Sequence, residues 1–356
     1  MSAAALPAHM PANQRANAPV ALINTRADKE QIFEDVQRAM ELAEWKRFVS
    51  PGADIALKPN LGWDKVVPGA ISAPWVFEGV ILAMKDYVGK ITVVESDQVV
   101  VDVRDAVRIS GIGEVCKRHN IDWVNMSEGQ FVHVRDTDRL TLHNIHLPEI
   151  LTRTELVTVP LMKTHNKSTI TGAIKNQWGC LQTLRHNFHP VLSEALVDVN
   201  VLLQPRFAVM DATVGLEGDG PKSGISKEMN LVLASANLVG LDATAARLMG
   251  FDPHQIKHLI LCEEHGLGAM RDTLKVVGEP VEKHIQQFVP ARHNAVSYVE
   301  IALRASWLAW LVFQTPLFKL MCWGTRRYYD LWDLRVGRIR RRDFMARSAY
   351  AGQWRA

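Results

Sequence analysis

Between Val157 and Pro190 the chain gathers three Lys, three His and one Cys, with hydroxyls and amides among them. Lys163 and Lys175 supply positive charges of the kind that hold a carboxylate or phosphate. His165 titrates near neutrality when unperturbed, which suits a general acid or base. His186 and His189 form an H-x-x-H pair before Pro190, and metal ligation and helix capping are both open to them. Cys180, beside Trp178 and Leu181, reads as a buried, inert thiol. Further on, Asp211, Glu217 and Asp219 are interleaved with Gly215, Gly218 and Gly220. Carboxylates at that density coordinate cations or act as bases. Asp211 and Glu217 therefore join Lys163, His165 and Lys175 as catalytic candidates. Asp219 joins His186 and His189 as a candidate metal ligand, and Gly218 allows a ligand to approach closely.

For these residues to meet, the elements that carry them must end on one side of the fold. Val20 to Asn24, Asp54 to Leu57, Lys90 to Glu95 and Ile121 to Met126 read as strands. The intervening segments Asp28 to Arg47, Pro74 to Tyr87 and Arg104 to His119 have helical spacing, with Gly111 and Gly113 as breakpoints in the last. Leu156 to Met162 is the next buried strand, turning polar at Lys163. This alternation predicts an α/β fold, mostly parallel in its sheet or sheets, with crossover helices. Open sheets of this kind bind ligands beyond the carboxyl ends of their strands. Lys58, Asn60 and Glu95 lie at such ends, so with Asn176 and Gly218 they are candidates for binding a cofactor.

Phe131 to Leu147 alternates like a hairpin on a sheet edge, with His133, His143 and His146 on the surface. Leu192 to Leu203 is a helix, and Arg206 to Asp211 a strand that runs into a Gly- and acid-rich loop ending at Pro221. Leu231 to Ser235 is a strand, followed by a helix to Met249 whose N-terminus Asp242 stabilises. His254 to His265 reads as a helix, with His254 and His258 on a solvated face.

Charge divides the 356 residues unevenly. From Glu300 to Ala356 there are 11 Lys and Arg against 4 Asp and Glu; the remainder holds 30 against 34. Residues 1–18 read as a disordered leader, 19–290 as an α/β core in two lobes, and 291–356 as an aromatic, basic, helical extension. The uncharged run Ala305 to Phe318 is too short for a confident transmembrane helix. Trp307, Trp310 and Trp323 beside Arg suit an interfacial membrane helix spanning part of 299–356, and equally packing on the core or at a homodimer interface. Nucleic acid is disfavoured because no recognition motif accompanies the basic residues. The four scattered Cys form no C-x-x-C pair, which indicates a reducing, cytoplasmic setting, with peripheral membrane association through the tail.

LKPNLG from Leu57, VPLMKTH and TGAIKNQWGCL from Val159, DATVGLEGDGP from Asp211 and GLDATAARLMGFDP from Gly240 occur in that order. In these blocks the chain resembles the family named domain of unknown function 362. Many members of that family carry a ferredoxin-like module with C-x-x-C cysteines. This chain lacks that spacing, so no self-contained ferredoxin-type iron–sulfur cluster is expected.

Nucleotide and hydrolase motifs are absent: no G-x-G-x-x-G after the first strand, no G-x-x-x-x-G-K-[ST], no G-x-S-x-G. The leading expectation is an enzyme acting on a small anionic molecule by Lys/His acid–base chemistry, with a divalent metal as candidate cofactor. The alternative is a non-catalytic protein that binds and delivers a metal or cofactor, docking to a membrane or protein partner through its tail.

Overall fold

The computed structural model describes residues 12–181, 183–270, 274–293 and 295–354. Short runs rich in Val, Ile and Leu form strands because both of their faces are covered by helices. The strands are β1 (Val20–Asn24), β2 (Ile55–Lys58), β3 (Ile91–Glu95), β4 (Asp122–Asn125), β5 (Phe131–Arg135), β6 (Asn144–Pro148), β7 (Glu155–Thr158), β8 (Leu161–His165), β9 (Thr169–Thr171), β10 (Phe207–Glu217), β11 (Ile225–Ser235) and β12 (Val276–Gly278). Ten of them join one sheet in the order β12-β1-β11-β10-β7-β2-β3-β4, with β8 paired to β10 and β9 paired to β8. The run from β10 through β7, β2 and β3 to β4 is parallel. The β1–β11 and β10–β11 pairs are antiparallel. The fold is thus α/β with a mixed, mostly parallel sheet, and a single sheet runs through the region where two lobes were expected.

Alternation along the strands divides the core. Val20 and Leu22 of β1 belong to one buried cluster, and Ala21 and Ile23 to the other. Each fully buried aliphatic side chain contributes about 1.5–3 kcal/mol. The helix Lys29–Leu42 shows how the covering layer is specified. The Asp28 carboxylate caps it by accepting from the Gln31 amide at 2.9 Å, and Ile32, Val36, Ala39 and Met40 bury one stripe. Glu44 in the left-handed region (φ 54°) ends the helical run earlier than Arg47. Gly111, at φ 82°, breaks the next long segment into helices Val103–Ser110 and Ile112–Arg118.

Several elements depart from the sequence reading. The strand expected over Leu156 to Met162 is two, because the chain jogs at Val159-Pro160 and β8 pairs with β10 beyond the end of β7. Lys163, Thr164 and His165 therefore lie within a strand rather than just past the end of one. β10 likewise continues past Asp211 to Glu217, and β11 begins at Ile225, so the loop between them is short. Asp211 pairs with Leu161 and Lys163 with Leu216, so Asp211 and Lys163 are not at equivalent strand ends. β10 shifts register between Ala212 and Val214, and the Asp211 Oδ1 accepts from the backbone N (3.0 Å) and Oγ1 (2.7 Å) of Thr213 there. That hydrogen bonding satisfies the amide which the bulge leaves out of the ladder.

The β5–β6 hairpin forms its own two-stranded sheet, with His133 opposite His146. His258 is buried, not solvated. Ala12–Ala16 is helical, and the buried Arg15 donates to Gln204 Oε1 at 2.7 Å, so the described part of the expected leader packs on the core.

The basic extension folds back onto the sheet. Tyr350 is fully buried and donates to Asn230 Oδ1 at 2.8 Å. Arg340 donates to the carbonyls of Ser223 and Gly224, and Arg341 to that of Val66. No helix among the described residues is long and apolar enough to cross a membrane.

Candidate functional site

β2 and β3 are adjacent and parallel, so their carboxyl ends present Lys58 and Glu95 side by side. The two meet in a buried ion pair, Lys58 Nζ to Glu95 Oε2 at 2.8 Å. The backbone amides of Leu61 and Ser96 also donate to Glu95, at 3.2 and 3.0 Å. Gly179 covers this pair. A Cβ there would lie 2.8 Å from both Glu95 Oε1 and Lys58 Nζ, so only glycine lets the backbone pass.

Next to the pair, Asn60 and Asn176 are joined at 2.9 Å, and the Asn176 amide donates to Thr158 Oγ1 at 2.6 Å. Lys163 reaches the same cluster, donating to Asn60 Oδ1 (2.9 Å) and the Ala70 carbonyl (2.7 Å). The short helix Ala173–Asn176 carries Lys175 and Asn176. Asp242, from the neighbouring helix Leu238–Leu248, caps it by accepting from the amides of Ala173 (2.6 Å) and Ile174 (2.9 Å). Asp242 thus stabilises the start of this helix rather than that of its own.

These groups line one cavity of about 260 Å³. Its lining holds seven cationic side chains, Lys58, Lys163, Lys167, Lys175, Arg185, Lys222 and Arg304, against two carboxylates, Glu95 and Glu300. Glu95 is taken by Lys58, while Glu300 takes Lys167 (2.7 Å) and Arg304 (3.0 Å) and contacts His189 Nδ1 (3.2 Å). Among the described residues, Lys163, Lys175, Lys222 and Arg185 have no carboxylate within ion-pair distance. Arg185 donates instead to the Leu181 and Asp97 carbonyls, both at 3.1 Å. Lys222 lies 4.5 Å from the centroid of the Trp63 ring.

Unbalanced charge and burial shift the proton equilibria. Burial, with the charges of Arg185, Lys167 and Lys222, brings Lys175 down to about 7. Burial also lowers Lys222 to about 7, with Arg185 and Lys65 adding to the effect and Asp64 opposing it. Lys163 falls well below the usual lysine range through burial and the nearby Lys175. His165 falls well below the usual histidine range for the same two reasons. Its Nδ1 accepts the Lys167 backbone N–H at 3.0 Å, which places the ring proton on Nε2. His165 is therefore a neutral hydrogen-bond donor. Burial lowers His189 to about 4, although Glu300 opposes it. Among the described residues, two atoms of lining residues, Thr171 Oγ1 and Trp178 Nε1, are buried without a hydrogen-bond partner.

The structure brings together Lys58, Asn60, Glu95, Lys163, His165, Lys175, Asn176 and His189 from the sequence candidates. Asp211, Glu217, Gly218 and Asp219 are not on the lining. Asp211 holds the β10 bulge; Glu217 pairs with Lys227 at 2.9 Å; the Gly218 carbonyl accepts from Thr164 Oγ1 at 3.0 Å; Asp219 is exposed. The side chain of His186 lies outside the described residues. Among those described, no three His, Cys, Asp or Glu side chains gather as a metal set. Cys180 is buried, its thiol pushed up to about 12 by burial, as expected of an inert residue.

Reading the sequence missed Lys167, Arg185, Lys222, Glu300 and Arg304. Lys167 and Arg185 lie inside the central stretch and Lys222 directly follows Gly220-Pro221, so those three carried a positional signal. Glu300 and Arg304 carried none, since only the fold-back of the chain brings them to the site.

An α/β sheet with a cation-lined cavity beyond its strand ends defines the structural class. The family assignment is equally direct: the chain belongs to the family described as domain of unknown function (DUF362), whose model matches residues 55–247, more than half of the chain. It is 26% identical to a thylakoid-associated protein of Synechocystis over 231 residues, covering 62% of this chain and 70% of that protein. A crystal structure of a Thermotoga maritima protein matches with a TM-score of 0.35 at 9% identity, covering 55% of this chain. The chain spans about half (53%) of that structure's length.

Proposed function

We propose that the cavity binds a small anionic molecule and moves a proton at it, which makes the chain an enzyme. Lys175, Lys222 and Arg185 hold the anion, Lys175 carries the proton, and His165 donates a hydrogen bond from Nε2. One observation carries this reading: a buried cluster of cations without carboxylate partners, two of them titrating near neutrality. An amine poised there exchanges protons efficiently at working pH. A divalent metal remains a candidate co-ligand of the anion.

The sign of the pH dependence follows from the depressed lysines. Above about pH 7 the free site holds neutral amines, so binding an anion must also take up protons. Calorimetric titration with inorganic phosphate should give an affinity that falls as pH rises from about 6.5 to about 9, by up to roughly ten-fold per unit for each coupled lysine. Lys175→Gln/Lys222→Gln should lower affinity at the acidic end by at least about ten-fold, each lost charged contact being worth about 1.5–3 kcal/mol. The catalytic half is read by NMR, as deuterium uptake into a panel of small carboxylates and phosphate esters in D2O. Lys175→Arg, which keeps the charge but not the titration, should bind phosphate and lose the exchange. A pH-independent affinity, or no binding at all, would remove this reading.

A second reading, a non-catalytic carrier docking to a membrane, is favoured by one comparison, the thylakoid association in the name of the Synechocystis relative. Phosphate binding without deuterium exchange in any compound of the panel would favour it.

A further inference from the structure

The cavity lining combines charged and apolar side chains. Lys163, Lys175, Lys222 and Arg185 come from the core, while Phe313, Phe318 and Met321 come from the C-terminal helices Ala309–Phe313 and Leu317–Trp332, with Arg304 4.0 Å from the centroid of the Phe313 ring. A small free anion makes no use of those apolar side chains. The same stretch of chain also turns large apolar side chains to solvent: Trp307 is 89% exposed, Trp310 70%, Leu320 62% and Trp323 61%. Scattered exposed apolar residues are ordinary on a protein surface, but three tryptophans and a leucine within seventeen residues of one lid are not. Residues 301–329 contain no Asp or Glu and four basic residues, of which Arg304 pairs with Glu300, Arg326 with Asp64 and Arg327 with Asp330. Lys319 is exposed and, among the described residues, has no carboxylate in reach. Exposed tryptophan with aliphatic side chains and a lysine such as Lys319 beside them is the chemistry that sits at the headgroup boundary of an anionic bilayer.

Resting on the anion-site reading above, we infer that the ligand is an anionic amphiphile taken from a bilayer. Its phosphate or carboxylate lies among the lysines, and its alkyl part lies against Phe313, Phe318 and Met321. The exposed tryptophans of the lid settle into the bilayer interface and bring the cavity to the ligand.

The test uses the full chain at about pH 6.5, just below the value of about 7 to which Lys175 and Lys222 are lowered, so that both are mostly protonated. Calorimetry compares inorganic phosphate with decyl phosphate below its micelle concentration. Decyl phosphate should bind at least about ten-fold more tightly, since each buried methylene adds about 0.8 kcal/mol. Phe318→Ser/Met321→Ser should remove most of that difference. Separately, the chain should float with phosphatidylglycerol-containing vesicles and not with phosphatidylcholine vesicles. Trp307→Ser/Trp310→Ser/Trp323→Ser should lose flotation while melting at the same temperature as the parent. Equal affinities for the two phosphates would overturn the amphiphile and leave the anion site standing. Failure of both to bind would overturn the anion site as well. Absence of flotation, or a dimer dissociated by the tryptophan substitutions without any vesicle binding, would overturn the bilayer as the source.

Discussion

Lys58 and Glu95 are 1% and 2% exposed, so neither can shed its charge to water. Breaking such a pair leaves an uncompensated buried ion, whereas replacing both partners by apolar residues can be close to neutral. Glu95→Gln should therefore lower unfolding stability by about 3–5 kcal/mol. Lys58→Met/Glu95→Leu should recover much of that loss while changing the cavity, and urea denaturation of the single and double variants measures both. At this scale the sequence was informative where chemistry coincides with a strand end, as at Lys58, Asn60 and Glu95. It could not show that Lys58 and Glu95 neutralise each other, because that depends on β2 and β3 being neighbours. Asp211 failed for the opposite reason. An acid after an apolar run reads as a strand end, but the carboxylate is spent on the amide of a bulge within a strand that continues.

Elements hold the site through contacts that local patterns do not encode. The helix Ala173–Asn176 is too short to be stable by itself, and two hydrogen bonds to Asp242 fix its start, nearly seventy residues away in sequence. Gly172 is part of the same device, since a Cβ there would collide with the Asp242 carboxylate. Burial raises the Asp242 carboxyl to about 7, despite the two amides that favour its charged form. A raised carboxyl contributes stability that is complete below its ordinary range and is lost as pH rises through the folded value. Measured against Asp242→Asn, whose side chain does not titrate, the wild-type contribution should decline between about pH 4 and pH 7, by up to about 1.4 kcal/mol per unit. Urea melts of the two proteins across that range give the difference directly; a difference independent of pH would place the proton elsewhere. Helices and parallel strands were legible from periodicity. The jog at Val159-Pro160 and the extension of β10 were not, because cross-strand partners decide them.

For the whole molecule the decisive feature is that the C-terminal chain returns to close the cavity. Its aromatic and basic composition was plain in the sequence, yet its place on the core rests on contacts such as Lys65–Asp330 (2.9 Å) and Arg326–Asp64 (3.2 Å) that join residues more than 250 positions apart. Near the cavity the connection is Glu300. It bonds Arg304 on its own helix and Lys167 and His189 on the core. Burial pushes the Glu300 carboxyl up, but the His189 hydrogen bond and the Lys167 ammonium outweigh it and hold the group well below the usual range. The stability it contributes is present above the ordinary carboxylate range and is lost only as pH falls far below it, so the latch stays closed at neutral pH. Charge-assisted hydrogen bonds of this kind are worth about 1.5–3 kcal/mol each. Glu300→Ala should therefore loosen the segment 295–313 without unfolding the sheet. Hydrogen exchange should quicken there by about ten-fold or more and stay unchanged in β2, β3 and β7. Bound phosphate should also leave faster, because Lys167 and Arg304 lose the carboxylate that orders them beside the cavity. If exchange in 295–313 is unaltered, the lid is held by its apolar contacts alone, and control of ligand release passes to Phe313, Phe318 and Met321.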